Sequence, residues 1–239
     1  ATESKTQTFN PNDISPPTHY WTGNQQSLAL TDPSLDGDDS KVMMDRIIPF
    51  VKEMANSGQP FMTTIWFHTP HKPYSTLDQA TLDAFYTPAE QAVMNSNQKA
   101  YFAAITAMDQ QVGRLRQTLQ TLGVADNTLL VFTSDNGPEN GVPGVGEIAK
   151  GDLRGRMRHL YEVGVRVPGL VVWTGQVAAG STTNAIGGVV DLLPTLMDVW
   201  NLGMPDDRPL DGESLLPVFK GAATQRTNSM KWDIENRRS

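Results

Sequence analysis

The sequence predicts an α/β fold, and three stretches of it carry this prediction. From about Asn97 to Leu122, apolar residues step by three and four positions, which indicates a long amphipathic helix. Gly123 follows, where a helix favours a left-handed closing residue. The apolar runs Thr128–Phe132 and Val167–Trp173 each predict a buried strand. Helices and strands that alternate with short connections are typical of layered α/β domains.

The N-terminal half predicts one more helix and one more strand. Asp39 or Ser40 is expected to cap a helix that runs to about Asn56 and is kinked by Pro49. Phe61–Phe67 then predicts a short buried strand. We expect residues 1–39, which are polar, to form an irregular surface segment, and residues 40–239 to form one partial α/β domain.

The C-terminal half begins with a long aperiodic stretch. Residues 136–160 contain six glycines and no periodic pattern, and a loop of this length is usually functional or disordered. Asp191–Trp200 predicts a small helix, and Leu210–Phe219 is compatible with a further short helix or turn.

Composition excludes several classes of function. The formal net charge of -7 over 239 residues argues against nucleic-acid binding, which needs clustered basic residues. No apolar run approaches the roughly 18 residues needed to span a bilayer, and no signal peptide is visible at the polar N-terminus. Because the chain has no cysteine, it has no disulfide, thiolate metal site or cysteine nucleophile.

An acid-amide pair, Asp135-Asn136, lies just beyond the predicted strand Thr128–Phe132. Ligands of open α/β sheets bind just beyond the carboxyl ends of strands, so this pair is placed to hold an ion. Carboxylate and amide oxygens suit calcium or magnesium, although two of them cannot complete a calcium shell of six to eight oxygens. The alternative is an ordinary tight turn, since Asn-Gly is a favoured turn dipeptide.

Two histidines, His68 and His71, flank the end of the predicted strand Phe61–Phe67 with proline nearby. On a loop, this spacing can present two imidazoles to one cavity. A hydrogen-bonded loop is the alternative. A zinc site would need a third nitrogen or sulfur ligand, for which His19 and His159 are candidates that nothing in the sequence places nearby.

Basic residues concentrate in and after the glycine-rich stretch. They are Lys150, Arg154, Arg156, Arg158 and Arg166. In an acidic protein such a cluster suggests an anion subsite, because arginine matches the oxygens of sulfate or phosphate in pairs. The alternative is a solvated, charged loop.

Four stretches, in this order, resemble the formylglycine-dependent sulfatases of the alkaline phosphatase superfamily. They are PFMTTIWFHTPHKPY (60–74), AYFAAITAMDQQVGRL through LLVFTSDNGPE (100–139), LRGRMRHLYEVGVRVPGLVVWTG (153–175), and DLLPTLMDVW through LDGESLLPVFKG (191–221). The resemblance implies a partial alkaline-phosphatase-like mixed sheet flanked by helices, with the N-terminal part and the C-terminal subdomain missing.

The resemblance also implies roles for individual residues. Asp135 and Asn136 would be two of the calcium ligands, in a site that orients the formylglycine hydrate attacking sulfur. His71 would contact the sulfate or assist the leaving ester oxygen, with His68 as a further pocket residue. Arg154 would support the loop. The formylglycine itself is expected in the missing N-terminal part.

Three positions depart from the family pattern. The Cys-x-Pro-x-Arg or Ser-x-Pro-x-Arg nucleophile motif is absent, as is the paired-Asp metal motif. Met157 stands where the family has a sulfate-binding Lys, so Lys150, Arg156 or Arg158 would have to substitute. Glu162-Val163-Gly164 replaces Glu-Gly-Gly, a change expected to affect the turn.

These observations predict a sulfatase fragment that contributes part of the calcium site and sulfate pocket but is inactive alone. The expected partner is a sulfated small molecule or glycan, in a parent protein that by family analogy is periplasmic or secreted. Self-association through an uncovered sheet edge is also expected. Two alternatives remain: a non-catalytic module that binds sulfated glycans or a partner, and a phosphoester hydrolase of the same superfamily, which would want His at Asn136.

Overall fold

The computed structural model describes residues 32–35, 38–71, 79–138 and 143–232. Within these ranges the helices are α1 (Asp39–Asn56), α2 (Gln79–Phe85), α3 (Pro88–Val93), α4 (Ser96–Thr121), α5 (Gly146–Lys150), α6 (Glu162–Val165), α7 (Leu192–Trp200) and α8 (Leu216–Phe219). The strands are β1 (Leu130–Thr133) and β2 (Gly169–Val172). The predicted irregular segment 1–39 lies outside the described residues except for 32–35 and 38–39.

The N-cap of helix α1 lies one residue before the earlier of its two predicted caps. The Asp38 carboxylate accepts hydrogen bonds from the backbone N–H groups of Ser40 (2.7 Å) and Lys41 (3.3 Å). The prediction that Asp39 or Ser40 caps the helix was therefore wrong, because Asp38 is the residue whose extended backbone leaves its side chain free to accept these bonds. The helix continues through Pro49 to Asn56.

Helix α4 confirms the long helix predicted from periodicity. Asn95 and Gln98 close a reciprocal capping box at its start, each side chain accepting from the other residue's backbone N–H (3.0 and 2.8 Å). Gly123 has a φ of +70°, which is the left-handed closing residue expected after the helix. No helix in the described ranges has the length and apolarity needed to cross a membrane.

The main apolar core lies between α1 and α4. We call it the helical core, and its buried members are Met44, Ile48, Val51, Leu115 and Leu119. Half-buried apolar residues from the chain after α1 and from β1, including Phe61, Ile65, Phe67 and Leu130, pack against it. The apolar stripes of the two helices therefore face each other. The chain after α1 and β1, which lead to the histidines and to the acid-amide pair, also pack against them.

The segment Phe61–Phe67 differs from its predicted strand. Its residues alternate between half-buried (Phe61, Thr63, Ile65, Phe67) and exposed (Met62, Thr64, Trp66), which is the period of a strand with one face packed. Among the described residues it forms no hydrogen-bonded ladder. Side-chain packing on the helical core sets the alternation, whereas a ladder also needs an adjacent strand.

The two strands confirm the α/β class. They pair antiparallel, with Leu130 opposite Val172 and Thr133 opposite Gly169. Both strands were predicted as buried, but they are only partly covered, with Leu170 and Val172 exposed. Within the described residues the sheet is this one antiparallel pair.

Residues 187–232 are organised around a buried carboxylate. Asp191 accepts hydrogen bonds from the backbone N–H groups of Gly188 (2.9 Å) and Glu213 (2.9 Å) and from Nη2 of Arg226 (3.0 Å). Arg226 also lies 3.6 Å from a carboxylate oxygen of Glu213. We call Asp191, Glu213 and Arg226 the Asp191 cluster. It fixes the positions of α7 and the chain before α8 by directional polar contacts.

Candidate active site

The turn after β1 presents the acid-amide pair. Asp135 is exposed and Asn136 is half-buried. Oδ1 of Asp135 accepts from the Asn136 backbone N–H (2.8 Å) and from the Ser134 hydroxyl (3.3 Å), while Nδ2 of Asn136 donates to the Gly137 carbonyl (3.0 Å). These bonds fold the turn on itself and hold both side chains close to the end of the strand.

Two oxygens of this turn have the chemistry of calcium ligands. Within the described part of the chain, Asp135 Oδ2 and Asn136 Oδ1 accept no hydrogen bond. A carboxylate oxygen and an amide oxygen suit a hard cation. No group of three His, Cys, Asp or Glu side chains able to hold a metal lies among the described residues. Two oxygens alone do not complete a calcium shell.

The two histidines lie together, as their spacing predicts. Their ring centroids are 4.9 Å apart, and the backbone N–H of His71 donates to the His68 carbonyl (2.8 Å) in a tight turn. The N–H of His68 donates to a carboxylate oxygen of Asp39 in the first turn of α1 (3.0 Å). This bond ties the turn that carries both rings to the start of α1.

The environment of His68 favours its neutral form. Burial lowers the pKa of this imidazole below its usual 6.5, and the nearby charge of His71 lowers it further, against a smaller opposing effect of Asp39. His71 itself is exposed. Of the two residues, His71 is therefore the more accessible to solvent.

Arg154, Arg156 and Arg158 lie between α5 and α6 in residues 151–161, which we call the basic loop. The Arg154 guanidinium lies over the ring of Tyr161, 3.9 Å from its centroid, and His159 meets the same ring edge-on at 6.2 Å. Arg158 has a φ of +73°, and with residues 159–161 it lines a shallow depression. Lys150 is the last residue of α5, just before this loop.

Backbone contacts join this loop to the acid-amide turn. The Gly137 N–H donates to the Gly164 carbonyl (3.2 Å), and the Met157 N–H donates to the Pro138 carbonyl (2.8 Å). The structure therefore brings together the turn of Asp135 and the loop of Arg154 and Arg158. The hydrogen bonds of the Asp135 and Asn136 side chains stay within residues 134–137, so none joins them to the histidines.

Sequence reasoning missed three residues of this region. The Tyr161 ring packs against the Arg154 guanidinium, and the Asp39 carboxylate accepts a hydrogen bond from the histidine turn. Gly164 permits the backbone contact with Gly137. A Gly after Glu162-Val163 and an Asp at a helix start were visible signals, but neither reveals its distant partner. Their roles depend on tertiary contacts.

Comparison with known proteins places the chain in a family. Residues 2–202 match the sequence model of the family described as Sulfatase. N-acetylgalactosamine-6-sulfatase of Homo sapiens is 34% identical over 147 residues, which are 58% of the chain and 27% of that protein. The ulvan-active sulfatase of Formosa agariphila is 29% identical over 184 residues, covering 72% of the chain and 34% of that protein.

The chain thus spans about a third or less of the length of these relatives. Among solved structures, Ps i-CgsB in complex with k-i-k-neocarrahexaose aligns with a TM-score of 0.64 at 28% identity, over 75% of the chain and 38% of that structure. The PsFucS1 sulfatase from Pseudoalteromonas sp. aligns with a TM-score of 0.61 over 84% of the chain and 39% of that structure, at 21% identity, and it supports the fold alone.

These alignments confirm the alkaline-phosphatase-like α/β fold, of which the described helices and strand pair are a part. The family match covers most of the 239 residues and includes the acid-amide turn, the histidine turn and the basic loop. The chain belongs to the sulfatase family.

Proposed function

We propose that the protein containing this chain hydrolyses sulfate esters to an alcohol and inorganic sulfate. The observation that carries this proposal is the Sulfatase match over residues 2–202. Relatives named as sulfatases of N-acetylgalactosamine 6-sulfate and ulvan, and the carrahexaose complex, favour a sulfated sugar as substrate. As in the family, we expect the parent to be periplasmic or secreted.

In this proposal each site residue has one task. Asp135 Oδ2 and Asn136 Oδ1 hold part of a calcium shell, whose ion, when bound, would stabilise negative charge on the sulfuryl oxygens. His71 protonates the leaving ester oxygen or stabilises its charge, and His68 lines the same pocket. Arg158 and Lys150 bind the sulfate, while Arg154, held by Tyr161, supports the loop.

The chain alone is proposed to be inactive because it supplies no nucleophile. It contains neither a cysteine nor a Ser-x-Pro-x-Arg segment that would take the place of the family's nucleophile motif. An aryl sulfate assayed with this chain and calcium should give no turnover above background. Turnover would show that another group attacks sulfur and that the assigned roles are wrong.

Calcium binding by the chain tests the metal assignment. Isothermal titration should detect calcium binding that Asp135→Ala abolishes, because that change removes the only carboxylate of the pair. Asp152→Ala removes an exposed carboxylate of the adjacent loop and is the matched control, which should leave the affinity unchanged. Equal affinities for the two variants would exclude Asp135 as a ligand.

A second candidate function is a non-catalytic module that binds sulfated glycans or a partner. Met157 favours it, because a thioether cannot supply the charge of the sulfate-binding Lys that the family usually has there. The gene sequence upstream of Ala1 distinguishes the two candidate functions. A Cys-x-Pro-x-Arg or Ser-x-Pro-x-Arg motif there favours the enzyme. Its absence, together with glycan binding without turnover, favours the module.

Met157→Lys in the longer protein sharpens this choice. If the enzyme lacks one sulfate-binding charge, the substitution should tighten binding of the sulfate ester or raise the rate, by about tenfold or more for one charge-assisted hydrogen bond. An unchanged KM and kcat would mean that Lys150, Arg156 or Arg158 already fills this role.

Self-association through the sheet edge stays a prediction, to be measured by light scattering.

A further inference from the structure

Two glycines hold the acid-amide turn against the basic loop with no room for a side chain. A Cβ placed on Gly137 would lie 1.5 Å from the carbonyl oxygen of Val163. A Cβ on Gly164 would lie 1.8 Å from the carbonyl oxygen of His159 and 2.8 Å from that of Arg156. The obstructing atoms are backbone atoms, which cannot rotate away as a flexible side chain can.

The two contacts form a stack of three backbone layers. The turn after β1 packs on residues 163–164, and these pack in turn on residues 156–159 of the basic loop. The Gly137 N–H to Gly164 carbonyl bond and the Met157 N–H to Pro138 carbonyl bond close the stack at its two sides. Gly137 and Gly164 are both buried, so water does not compete for these contacts.

We propose that Gly137 and Gly164 are positioning residues, which fix the separation between the Asp135-Asn136 turn and the arginines of the basic loop. The functional part of this inference rests on the proposed sulfate-ester site. The contact between the two segments is made by backbone atoms of Gly137, Val163 and Gly164.

The stack also explains a departure from the family pattern. Glu162-Val163-Gly164 was expected to alter the turn relative to Glu-Gly-Gly. The Val163 side chain is buried, 2% exposed, and only its carbonyl oxygen faces Gly137. Position 163 therefore accepts a side chain, while position 164 does not. The second glycine of the motif is the one that the contact requires.

Amide exchange in the unmodified chain is the first test. If the stack opens as one unit, the N–H groups of Gly137 and Met157 should exchange with protection factors within about threefold of each other and respond alike to low denaturant. Protection factors that differ by more than about tenfold would show that the turn and the loop open separately, and would overturn the inference. This test needs no ligand and no variant.

Gly164→Ala is the second test, with Gly169→Ala as the matched control. Gly169 lies in β2, has nothing within 4 Å of a Cβ position, and has no left-handed backbone. Gly164→Ala should speed exchange at both Gly137 and Met157 at least about tenfold, while Gly169→Ala leaves both within about threefold. Circular dichroism checks that each variant folds. If Gly164→Ala does not fold, the exchange data on the unmodified chain decide.

Ligand coupling tests the positioning role itself. In the unmodified chain, calcium should tighten the binding of inorganic sulfate about fivefold or more, and sulfate should tighten calcium equally, since coupling is reciprocal. In Gly164→Ala each ligand alone should bind within about threefold of its normal affinity, but the enhancement should vanish. Retained coupling would refute the positioning role. If the unmodified chain binds neither ligand, the calcium and sulfate roles proposed for residues of this chain fail, while the stack is still judged by the exchange data.

Discussion

The helical core and the Asp191 cluster hold their regions together by opposite means. The helical core buries apolar side chains of α1 and α4, whose attraction has no direction and depends on buried area. The Asp191 cluster buries a carboxylate, completely covered, beside an arginine that is 8% exposed. Its contacts depend on direction. Removing one partner leaves a buried charge uncompensated, which lowers the free energy of unfolding. The first arrangement should tolerate changes of shape, and the second should not tolerate changes of charge.

Asp191→Asn is expected to have the largest effect on stability. The substitution keeps the shape of the side chain but replaces one acceptor oxygen by an NH2 group and removes the charge that faces Arg226. Breaking a buried ion pair on one side typically costs about 3–5 kcal/mol. Urea unfolding with amide exchange at Gly188 and Leu215 would measure the loss.

The control for this prediction is Asp206→Asn. That carboxylate pairs with Arg208 but is exposed, so its loss should change the unfolding free energy by less than about 1 kcal/mol. A cost for Asp191→Asn no larger than that of the control would mean that burial does not make the cluster sensitive to charge.

Leu119→Ala is expected to have the next largest effect. Leu119 is 4% exposed in the helical core, and removing its buried carbon atoms should lower the unfolding free energy by about 3 kcal/mol. Leu119→Met keeps most of the volume and should cost less than about 1.5 kcal/mol. A thermal or urea melt of both variants gives their unfolding free energies. The comparison distinguishes the effect of lost buried apolar area from the effect of a changed side-chain shape.

Val93→Ala is the matched control, because Val93 is 83% exposed and its change should fall within about 0.5 kcal/mol. Should Leu119→Met cost as much as Leu119→Ala, the core would depend on specific shape, and the contrast with the Asp191 cluster would disappear.

The same difference explains what could be predicted from sequence. The helical core was predictable because periodicity is local: α4 was expected from Asn97 to Leu122 and runs over Ser96–Thr121. The Asp191 cluster was not, because Asp191 and Arg226 are 35 residues apart and no periodic pattern connects them. The helix that follows Asp191 was expected, but the role of its carboxylate was not.

The candidate site divides in the same way. The closeness of His68 and His71 followed from their spacing on one turn, and the structure places their rings 4.9 Å apart. The contact of Gly137 with Gly164 joins residues on either side of the basic loop, and no local signal shows it. The strand expected over Phe61–Phe67 failed for this reason too: alternation is local, whereas ladder formation depends on a neighbour.

The stability of the folded chain should depend on pH through His68. Burial and the charge of His71 lower the pKa of this imidazole below 6.5 in the folded chain, so the unfolded chain binds a proton more readily. Stability should therefore be unaffected well above pH 6.5 and fall as the pH drops through and below that value. His68→Gln should remove this part of the decline.

The measurement is the urea midpoint between pH 8 and pH 5 for the unmodified chain and for His68→Gln. Asp39, whose charge opposes the shift, and His71 both face His68, so His71→Gln is a useful second variant. It should reduce the decline without abolishing it, since burial is the larger cause. Identical profiles for all three proteins would show that His68 is not the group responsible.

The smallest expected effect is that of Asp45→Asn at the edge of the helical core. Asp45 on α1 accepts from Lys41 (3.0 Å) and from Arg114 on α4, so an ion pair joins the two helices. Like Asp191, Asp45 has several partners, but its side chain is 33% exposed. Burial raises the pKa of this carboxyl, but hydrogen bonds from Arg114 and Lys41 outweigh that effect and lower the pKa below 3.8. The stabilisation that Asp45 contributes is therefore present above pH 3.8 and lost as the pH falls through the lowered pKa.

Because water screens the pair, Asp45→Asn should cost no more than about 1 kcal/mol in a urea melt at pH 7, with the exposed Asp109→Asn as control. A cost comparable with that of Asp191→Asn would mean that the number of partners, not their burial, decides how much an ion pair contributes here.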